Sequence, residues 1–415
     1  MNSTNHTSEN KRFLKHILIT LIAGALTHFL NYLFSIYLAR KLNVTYFNYY
    51  NAILGIVTLI QIPAIAIQTT ITKKVAEKKD FDLKDFKKKS TIQLTLIAAV
   101  ISIIFFAFGK QISNIANIPV QYIPALTLVV FTAIINPIAK GFLLGLEKIT
   151  QFNTVMIAET LFKFAIGYFA LQTSSQITTI TLAFAVPFLI STLIILPFTN
   201  TKSKKKPEQE LKLNYKQIFL IFITFFMLNI PFTLDLILVN PAVRASYGAL
   251  SLIGKIVYFG AVTIANLMIS RLANTQGQSR KKNLLISLGI SAVIGIVICI
   301  IYWLFTEQIV NIVFGGLYKE ITRYVVPYSI AMIGYAISYM VITSELVNDS
   351  YIHIYLLLFT SLLQGVLYKI NNNSLYDAFL NQIIVYGVLF FFVLILLIFK
   401  TLKTNGKERA EKEQI

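Results

Sequence analysis

Four ionisable side chains lie inside stretches of sequence that are otherwise apolar. Glu159 and Lys163 share one such stretch, four residues apart. Asp235 and Lys255 lie in two later stretches that follow each other along the chain. An ionised side chain at the centre of a membrane-spanning helix costs about 2.5 to 3.5 kcal/mol on insertion scales, so it normally faces a protein interior or a water-filled cavity. The four residues are therefore candidates for binding ions or charged ligands.

Spacing predicts how these side chains are arranged. A separation of four residues places Glu159 and Lys163 on one face of a helix, with the acid N-terminal to the base. Asp235 lies about five residues before the end of its stretch and Lys255 about five residues into the next, so the rise of about 1.5 Å per residue puts them at nearly one depth. We therefore expect the hairpin 240–249 to bring them together as an ion pair. The alternative to a role in binding is that the two charges of each pair only neutralise each other, so that the helices can insert into the membrane.

The composition identifies the setting of these charges. Of 415 residues, 56% are apolar and only 13% are charged, whereas soluble domains carry about 25% charged residues. The chain is therefore expected to be an integral membrane protein. Its one cysteine, Cys299, excludes an intramolecular disulfide and argues against a thiolate metal site.

Apolar runs of the length that spans a bilayer recur along the whole chain. A hydrocarbon core about 30 Å thick needs about 20 apolar residues per helix. Runs of this kind cover residues 14–38, 46–71, 91–108, 122–144, 152–171, 177–198, 217–239, 250–270, 283–304, 324–347, 351–367 and 377–399. The runs are apolar on every side, which excludes the alternating strands of a barrel. The sequence predicts an all-α polytopic membrane protein with twelve transmembrane helices.

Basic residues indicate the orientation of the spans and the division of the chain. Most of the 37 Lys and Arg residues fall in the two tails and in alternate gaps between spans, which places both termini in the cytoplasm. The protein is expected to lie in the cytoplasmic membrane. A basic gap near the middle separates two six-helix bundles. The expected parts are an N-terminal tail 1–13, a bundle 14–198, a basic linker 199–216, a bundle 217–399 and a C-terminal tail 400–415.

Motifs for enzyme chemistry are missing from the sequence. No Gly-x-x-x-x-Gly-Lys-Ser/Thr loop occurs, so the chain carries no phosphate-binding loop for ATP. The four histidines are scattered without metal-ligand spacing. We therefore expect no enzyme activity, no cofactor, no metal site and no nucleic-acid partner.

Basic residues at the ends of spans and in the loops, such as Lys140 and Arg244, are expected to act as anchors at the membrane surface. Together with Arg40, Lys163 and Lys255 they would make a cavity more basic than acidic, so an anionic ligand is favoured over a cationic one.

Two stretches of the sequence resemble those of a known family. They are LDLILVNPAVRASYGALSLIGKIVYFGAVTIANLMISRLA from Leu234 and LARKLNVTYFNYYNAILGIVTLIQIPAIAIQTTITKKVAE from Leu38, and FGGLYKE from Phe314 is a further similar element. The chain resembles the polysaccharide-transport branch of the multidrug/oligosaccharidyl-lipid/polysaccharide (MOP) exporter superfamily. That resemblance implies two six-helix bundles that open alternately to the two sides of the membrane.

The resemblance also implies a substrate and roles for individual residues. Members of this branch are flippases that move polyprenyl-diphosphate-linked oligosaccharides between leaflets. On this view Lys163, Lys255 and Arg40 would bind the diphosphate, Asn31, Asn229 and Asn266 would bind sugar hydroxyls, and Glu159 and Asp235 would couple transport to H⁺ or Na⁺. Membrane lipids and enzymes of glycan synthesis are the further partners implied.

Three other interpretations remain open at this point. A multidrug or cation antiporter of the same fold would be expected to carry more acids than bases in its cavity. A major-facilitator carrier also has twelve spans, but it would be expected to show a Gly-x-x-x-Asp-Arg-x-Gly-Arg pattern after span 2, which this chain does not. A non-transporting scaffold of a glycan-synthesis complex would need no central ionisable residues.

Overall fold

The computed structural model describes residues 3–76, 82–173, 176–199, 213, 215–259, 277–346 and 352–412. All regular structure within these ranges is helical. The helices are α1 Ser3–Lys41, α2 Val44–Ala76, α3 Leu83–Ala107, α4 Gly109–Ala116, α5 Ile123–Gly145, α6 Ile149–Ala170, α7 Gln176–Leu182, α8 Val186–Phe198, α9 Tyr215–Leu238, α10 Arg244–Gly254, α11 Gly277–Phe314, α12 Thr322–Leu346, α13 Ile352–Ile370 and α14 Leu375–Lys412. Short 3₁₀ helices at Val120–Tyr122 and Lys319–Ile321 precede α5 and α12.

Ten helices in the described ranges are long and apolar enough to cross a membrane. The all-α, multi-pass membrane prediction is confirmed, while the count of twelve and the cytoplasmic termini stay predictions. The two predicted spans outside the ten are α6, which carries Glu159 and Lys163 among its 22 residues, and 250–270, whose residues 260–270 lie outside the described ranges. The predicted linker 199–216 also lies mostly outside them.

The predicted span 177–198 is two helices, α7 and α8, joined at 183–185. Pro187 lies in the first turn of α8, where its missing N–H costs nothing and its fixed φ favours a new helix start. The joint itself is closed by turn hydrogen bonds such as Ala185 N–H to the Leu182 carbonyl at 2.9 Å. This break places Phe184 on the joint, where its ring contacts α1.

The chain divides into two compact units, Met1–Asn229 (unit 1) and Ile230–Ile415 (unit 2), and the division falls inside α9. In unit 1, α5 packs against α2, α3 and α8. A Cβ on Gly141 would lie 2.8 Å from the Cβ of Ile71, and one on Gly145 would lie 2.5 Å from the Cβ of Val75. Small residues at these points let α5 approach α2 closely, as in other membrane helix pairs.

In unit 2, α12 packs against α10, α11 and α14. Gly254 at the end of α10 allows this approach, because a Cβ there would lie 2.2 Å from the ring of Tyr328. Tyr247, Tyr328, Tyr335 and Tyr386 are all fully buried between these helices. Their rings contact one another edge-on or tilted, at centroid separations of 5.0 to 6.3 Å.

Candidate functional site

The carboxylate of Glu159 lies in the interior of unit 1 and has a different partner from the one that the sequence predicts. Its Oε2 accepts a 2.6 Å ion-pair hydrogen bond from Lys140 of α5, and both side chains are largely buried. Its Oε1 accepts from Asn136 Nδ2 at 2.9 Å and from Ser191 Oγ at 2.5 Å. The expected pairing of Glu159 with Lys163 along α6 is therefore wrong.

The physical reason is the packing of α5 and α8 beside α6. Asn136 and Lys140 are one turn apart on α5, and Ser191 faces them from α8, so three donors converge on one carboxylate. Sequence reasoning placed Lys140 at a helix end, as an anchor, and missed its role. The ammonium of Lys140 also lies 4.7 Å from the centre of the Phe188 ring.

Lys163 points from α6 to α1 and is half-buried. Its ammonium donates a hydrogen bond to Oδ1 of Asn31. It also lies 5.0 Å from the ring centre of Phe34 and 4.9 Å from that of Phe184. Gly167, one turn along α6, permits this arrangement because a Cβ there would lie 2.1 Å from the Phe34 ring. Within the described ranges, the charge of Lys163 is held by an amide and two aromatic rings, and no carboxylate pairs with it.

Asp235 of α9 and Lys255, just after α10, form the ion pair that the hairpin geometry predicts. Lys255 Nζ lies 3.3 Å from Oδ2 and 3.5 Å from Oδ1 of Asp235. The same ammonium donates to the backbone carbonyl of Phe232 at 2.6 Å and lies 4.4 Å from the centre of the Phe232 ring. Side-chain exposure is 0% for Asp235 and 8% for Lys255, so the pair is shielded from solvent.

Further polar side chains extend the network around Asp235. Tyr247 donates its hydroxyl hydrogen to Oδ2 of Asp235 at 2.9 Å, and the hydroxyl of Tyr368 lies 3.3 Å from that of Tyr247. Gln382 Nε2 donates to the carbonyl of Pro231 at 2.6 Å and its Oε1 accepts from Tyr368. Sequence reasoning missed Tyr368 and Gln382. Single polar residues in the apolar runs of α13 and α14 are the signal that points to them.

Three predicted site residues remain, namely Arg40, Asn229 and Asn266. Arg40 is exposed at the end of α1. Asn229 is half-buried in α9, and its Nδ2 donates to the carbonyl of Phe225 one turn earlier at 2.8 Å. Asn266 lies outside the described ranges. The structure therefore brings Lys163 together with Asn31 in unit 1, and Asp235 together with Lys255 in unit 2.

Arg244 was expected to be a surface anchor, and it is instead fully buried at the start of α10. Its Nη2 donates to the carbonyls of Ile237 and Val239, each at 3.0 Å. These carbonyls lie at the C-terminal end of α9, where helix carbonyls have no partner in the helix itself. Arg244 therefore caps α9 and orients the segment that carries Asp235.

Solved membrane transporters have similar folds. Lipid II flippase MurJ in an inward closed conformation is similar with a TM-score of 0.71 and 15% identity, over 92% of this chain and 87% of that chain. A multidrug resistance MATE family transporter of the MOP superfamily, in an outward-facing conformation, gives 0.63 and 13% over 94% and 96%. A MOP superfamily transporter from Pyrococcus furiosus, whose binding pocket is described as having reverse polarity, gives 0.57 and 12% over 92% and 94%.

No protein-family model matches the sequence, and no curated protein matches it. The structural likenesses cover nearly all of this chain at 15% identity or less, so they concern the fold. They agree with the resemblance seen in the sequence. The chain has the fold of the MOP-superfamily membrane transporters.

Proposed function

We propose that the protein is a flippase that moves a polyprenyl-diphosphate-linked oligosaccharide across the cytoplasmic membrane by alternating access. The single observation that carries this proposal is the environment of Lys163. Its ammonium lies in a membrane helix, held by Asn31 and two aromatic rings, with no carboxylate paired to it within the described ranges. A cation held in this way attracts an anion such as a diphosphate.

The other interior charges do not oppose this preference. Glu159 is neutralised by Lys140, and Asp235 is neutralised by Lys255. A transporter of organic cations would be expected to keep an unpaired carboxylate for its substrate, and here the interior carboxylates of Glu159 and Asp235, within the described ranges, are already paired. The charge that remains is positive, and it favours an anionic substrate. The lipid II flippase among the structural neighbours is a transporter of similar fold.

Substrate contacts beyond Lys163 follow from the same proposal. Asn31 is the hydrogen-bond partner of Lys163 and would bind substrate oxygens beside it. Arg40, Lys255, Asn229 and Asn266 are proposed as further substrate-binding residues. The partners are the lipid-linked oligosaccharide, membrane lipids and enzymes that assemble the glycan.

An ion gradient is proposed to drive the cycle, with Glu159 and Asp235 as the coupling residues and H⁺ or Na⁺ as the ion. Protonation of Glu159 would remove the negative charge that holds Lys140 and so release its ammonium. Glu159→Gln keeps the shape of the side chain and cannot take part in this exchange. We expect Glu159→Gln to abolish the response of transport to an imposed gradient while leaving substrate binding intact.

The proposal is tested by the sidedness of a fluorescent polyprenyl-diphosphate disaccharide in proteoliposomes. The fraction that an externally added glycosidase cleaves is followed with and without a proton or sodium gradient. We expect wild type to move the lipid, Lys163→Ala to be inactive, and Lys110→Ala, which removes an exposed lysine of α4, to behave like wild type. Uptake of fluorescent cations without movement of the glycolipid would instead identify a drug exporter.

A further inference from the structure

The ammonium of Lys255 is surrounded by oxygen atoms of the kinds that bind an alkali metal ion. The backbone carbonyl of Phe232 lies 2.6 Å away, and the two carboxylate oxygens of Asp235 lie 3.3 and 3.5 Å away. Carboxylate and freed backbone carbonyl oxygens are the ligands that hold coupling cations inside membrane transporters. In this chain the ammonium of Lys255 lies beside the Phe232 carbonyl and the Asp235 carboxylate, where such an ion would bind.

Several backbone groups of α9 near Asp235 have side-chain partners. Pro231 lies inside the helix and has no N–H to donate, so the helix lacks the hydrogen bond that this residue would make to the carbonyl one turn earlier. The carbonyl of Pro231 accepts from Gln364 and Gln382, and the N–H of Leu236 donates to Oδ1 of Asp235 at 2.9 Å. Side chains therefore contact the backbone groups on both sides of the Asp235 site.

Charge balance makes a second cation unfavourable at this position. One buried carboxylate faces one buried ammonium, and the described ranges show no second carboxylate in contact with either. A sodium ion beside Asp235 would add an uncompensated positive charge in a nearly solvent-free interior, unless it displaced the ammonium.

We propose that Lys255 is a built-in substitute for a coupling sodium ion, so that unit 2 binds no sodium at Asp235. This deepens the proposed function, because it leaves H⁺ as the coupling ion at Asp235 and restricts sodium coupling to other sites such as Glu159. It rests on the geometry of the pair and needs no knowledge of the substrate.

The first test is thermal unfolding of the purified full-length protein in sodium chloride and in choline chloride at equal ionic strength. Any difference between the two salts in wild type is expected to be the same in Asp235→Asn, because the proposal places no sodium at Asp235. Lys255→Ala removes the ammonium and opens its space, so sodium is expected to raise the unfolding temperature of this variant. At a sodium concentration one hundred times the Kd, the rise should be about 5 °C or more.

Two control variants locate the effect. Lys163→Ala removes a lysine that pairs with no carboxylate of the described ranges, and it should gain no response to sodium. Lys255→Ala combined with Asp235→Asn removes the carboxylate as well, and its response to sodium should disappear.

The proposal is overturned if Lys255→Ala folds and gains no stabilisation by sodium. It is also overturned if sodium stabilises wild type and Asp235→Asn abolishes that effect. If Lys255→Ala cannot be purified, wild type is compared with Asp235→Asn by thermal unfolding and by binding of radioactive sodium. Sodium binding or stabilisation that is lost in Asp235→Asn overturns the proposal. None of these measurements uses a lipid substrate, so their outcome is separate from failure of the flippase proposal.

Discussion

Removing one charge of the Asp235–Lys255 pair should destabilise unit 2 more than removing both. At the observed separation of 3.3 Å, two unit charges attract each other by about 5 kcal/mol at an effective dielectric constant of about 20. Most of that attraction offsets the cost of taking both groups out of water. A single neutral substitution, Asp235→Asn or Lys255→Met, leaves the other charge buried and unpaired, and should cost about 3 to 5 kcal/mol.

The double variant leaves no charge unpaired and should cost no more than one single variant. The lost hydrogen bond from Lys255 to the Phe232 carbonyl is common to Lys255→Met and to the double variant, so it cancels in a double-mutant cycle. The coupling energy from the cycle should therefore be about 3 kcal/mol.

Thermal unfolding in detergent measures this coupling. For a unit of this size a change of 1 kcal/mol shifts the Tm by about 2 to 4 °C, so each single variant should unfold about 6 to 20 °C below wild type. The double variant should recover a large part of that loss. Additivity of the two single effects to within about 0.5 kcal/mol would show that the charges do not interact, and would refute the reasoning.

Two other predictions concern packing and capping, each measured by thermal unfolding beside a matched control. Gly167→Ala should lower the free energy of unfolding by about 1 to 3 kcal/mol, because its new Cβ would lie 2.1 Å from the Phe34 ring. The control Gly24→Ala, with no atom within 4 Å of its new Cβ, should be neutral or stabilising. Equal effects of the two variants would contradict the close approach of α1 and α6. Arg244→Met should lower the free energy of unfolding by about 2 to 4 kcal/mol, because two buried carbonyls of α9 lose a charged donor. The control Arg323→Ala removes an exposed arginine and should cost less than about 1 kcal/mol. A loss for Arg244→Met as small as that of the control would contradict the capping role.

The sequence predicts the helices and the Asp235–Lys255 pair well, because both follow from local rules. Long apolar runs predict spans, and a short hairpin joins two residues at equal depth. The structure also allows a prediction about exchanging the charges of this pair. Exchanging the two charges should not restore the protein, because an aspartate at position 255 would face the carbonyl of Phe232 in place of an ammonium.

The partner of Glu159 could not be predicted from spacing along one helix. Lys163 is nearest in sequence, yet Lys140 binds the carboxylate because α5 lies beside α6 and presents Asn136 and Lys140 one turn apart. Only the packing of neighbouring helices decides between such candidates. The consequence for function is large, since Lys163 is left without a carboxylate within the described ranges and becomes the candidate for binding an anion.

The burial of Arg244 could not be predicted from the sequence either. Its position in a short connection suggested a surface anchor, but the connection folds back so that the side chain reaches the end of α9. The signal in retrospect is an arginine a few residues after the end of a helix, where a basic side chain can bind the last carbonyls.

The central claim is that the ammonium of Lys163 binds the diphosphate of the substrate. It is tested most directly by the Kd of geranylgeranyl diphosphate for the purified protein, compared among wild type, Lys163→Gln and the surface control Lys110→Gln. Loss of one charged hydrogen-bond donor is worth about 1.5 to 3 kcal/mol, so Lys163→Gln should bind about 10 to 150 times more weakly while Lys110→Gln binds normally. Equal Kd values for wild type and a correctly folded Lys163→Gln would contradict the account.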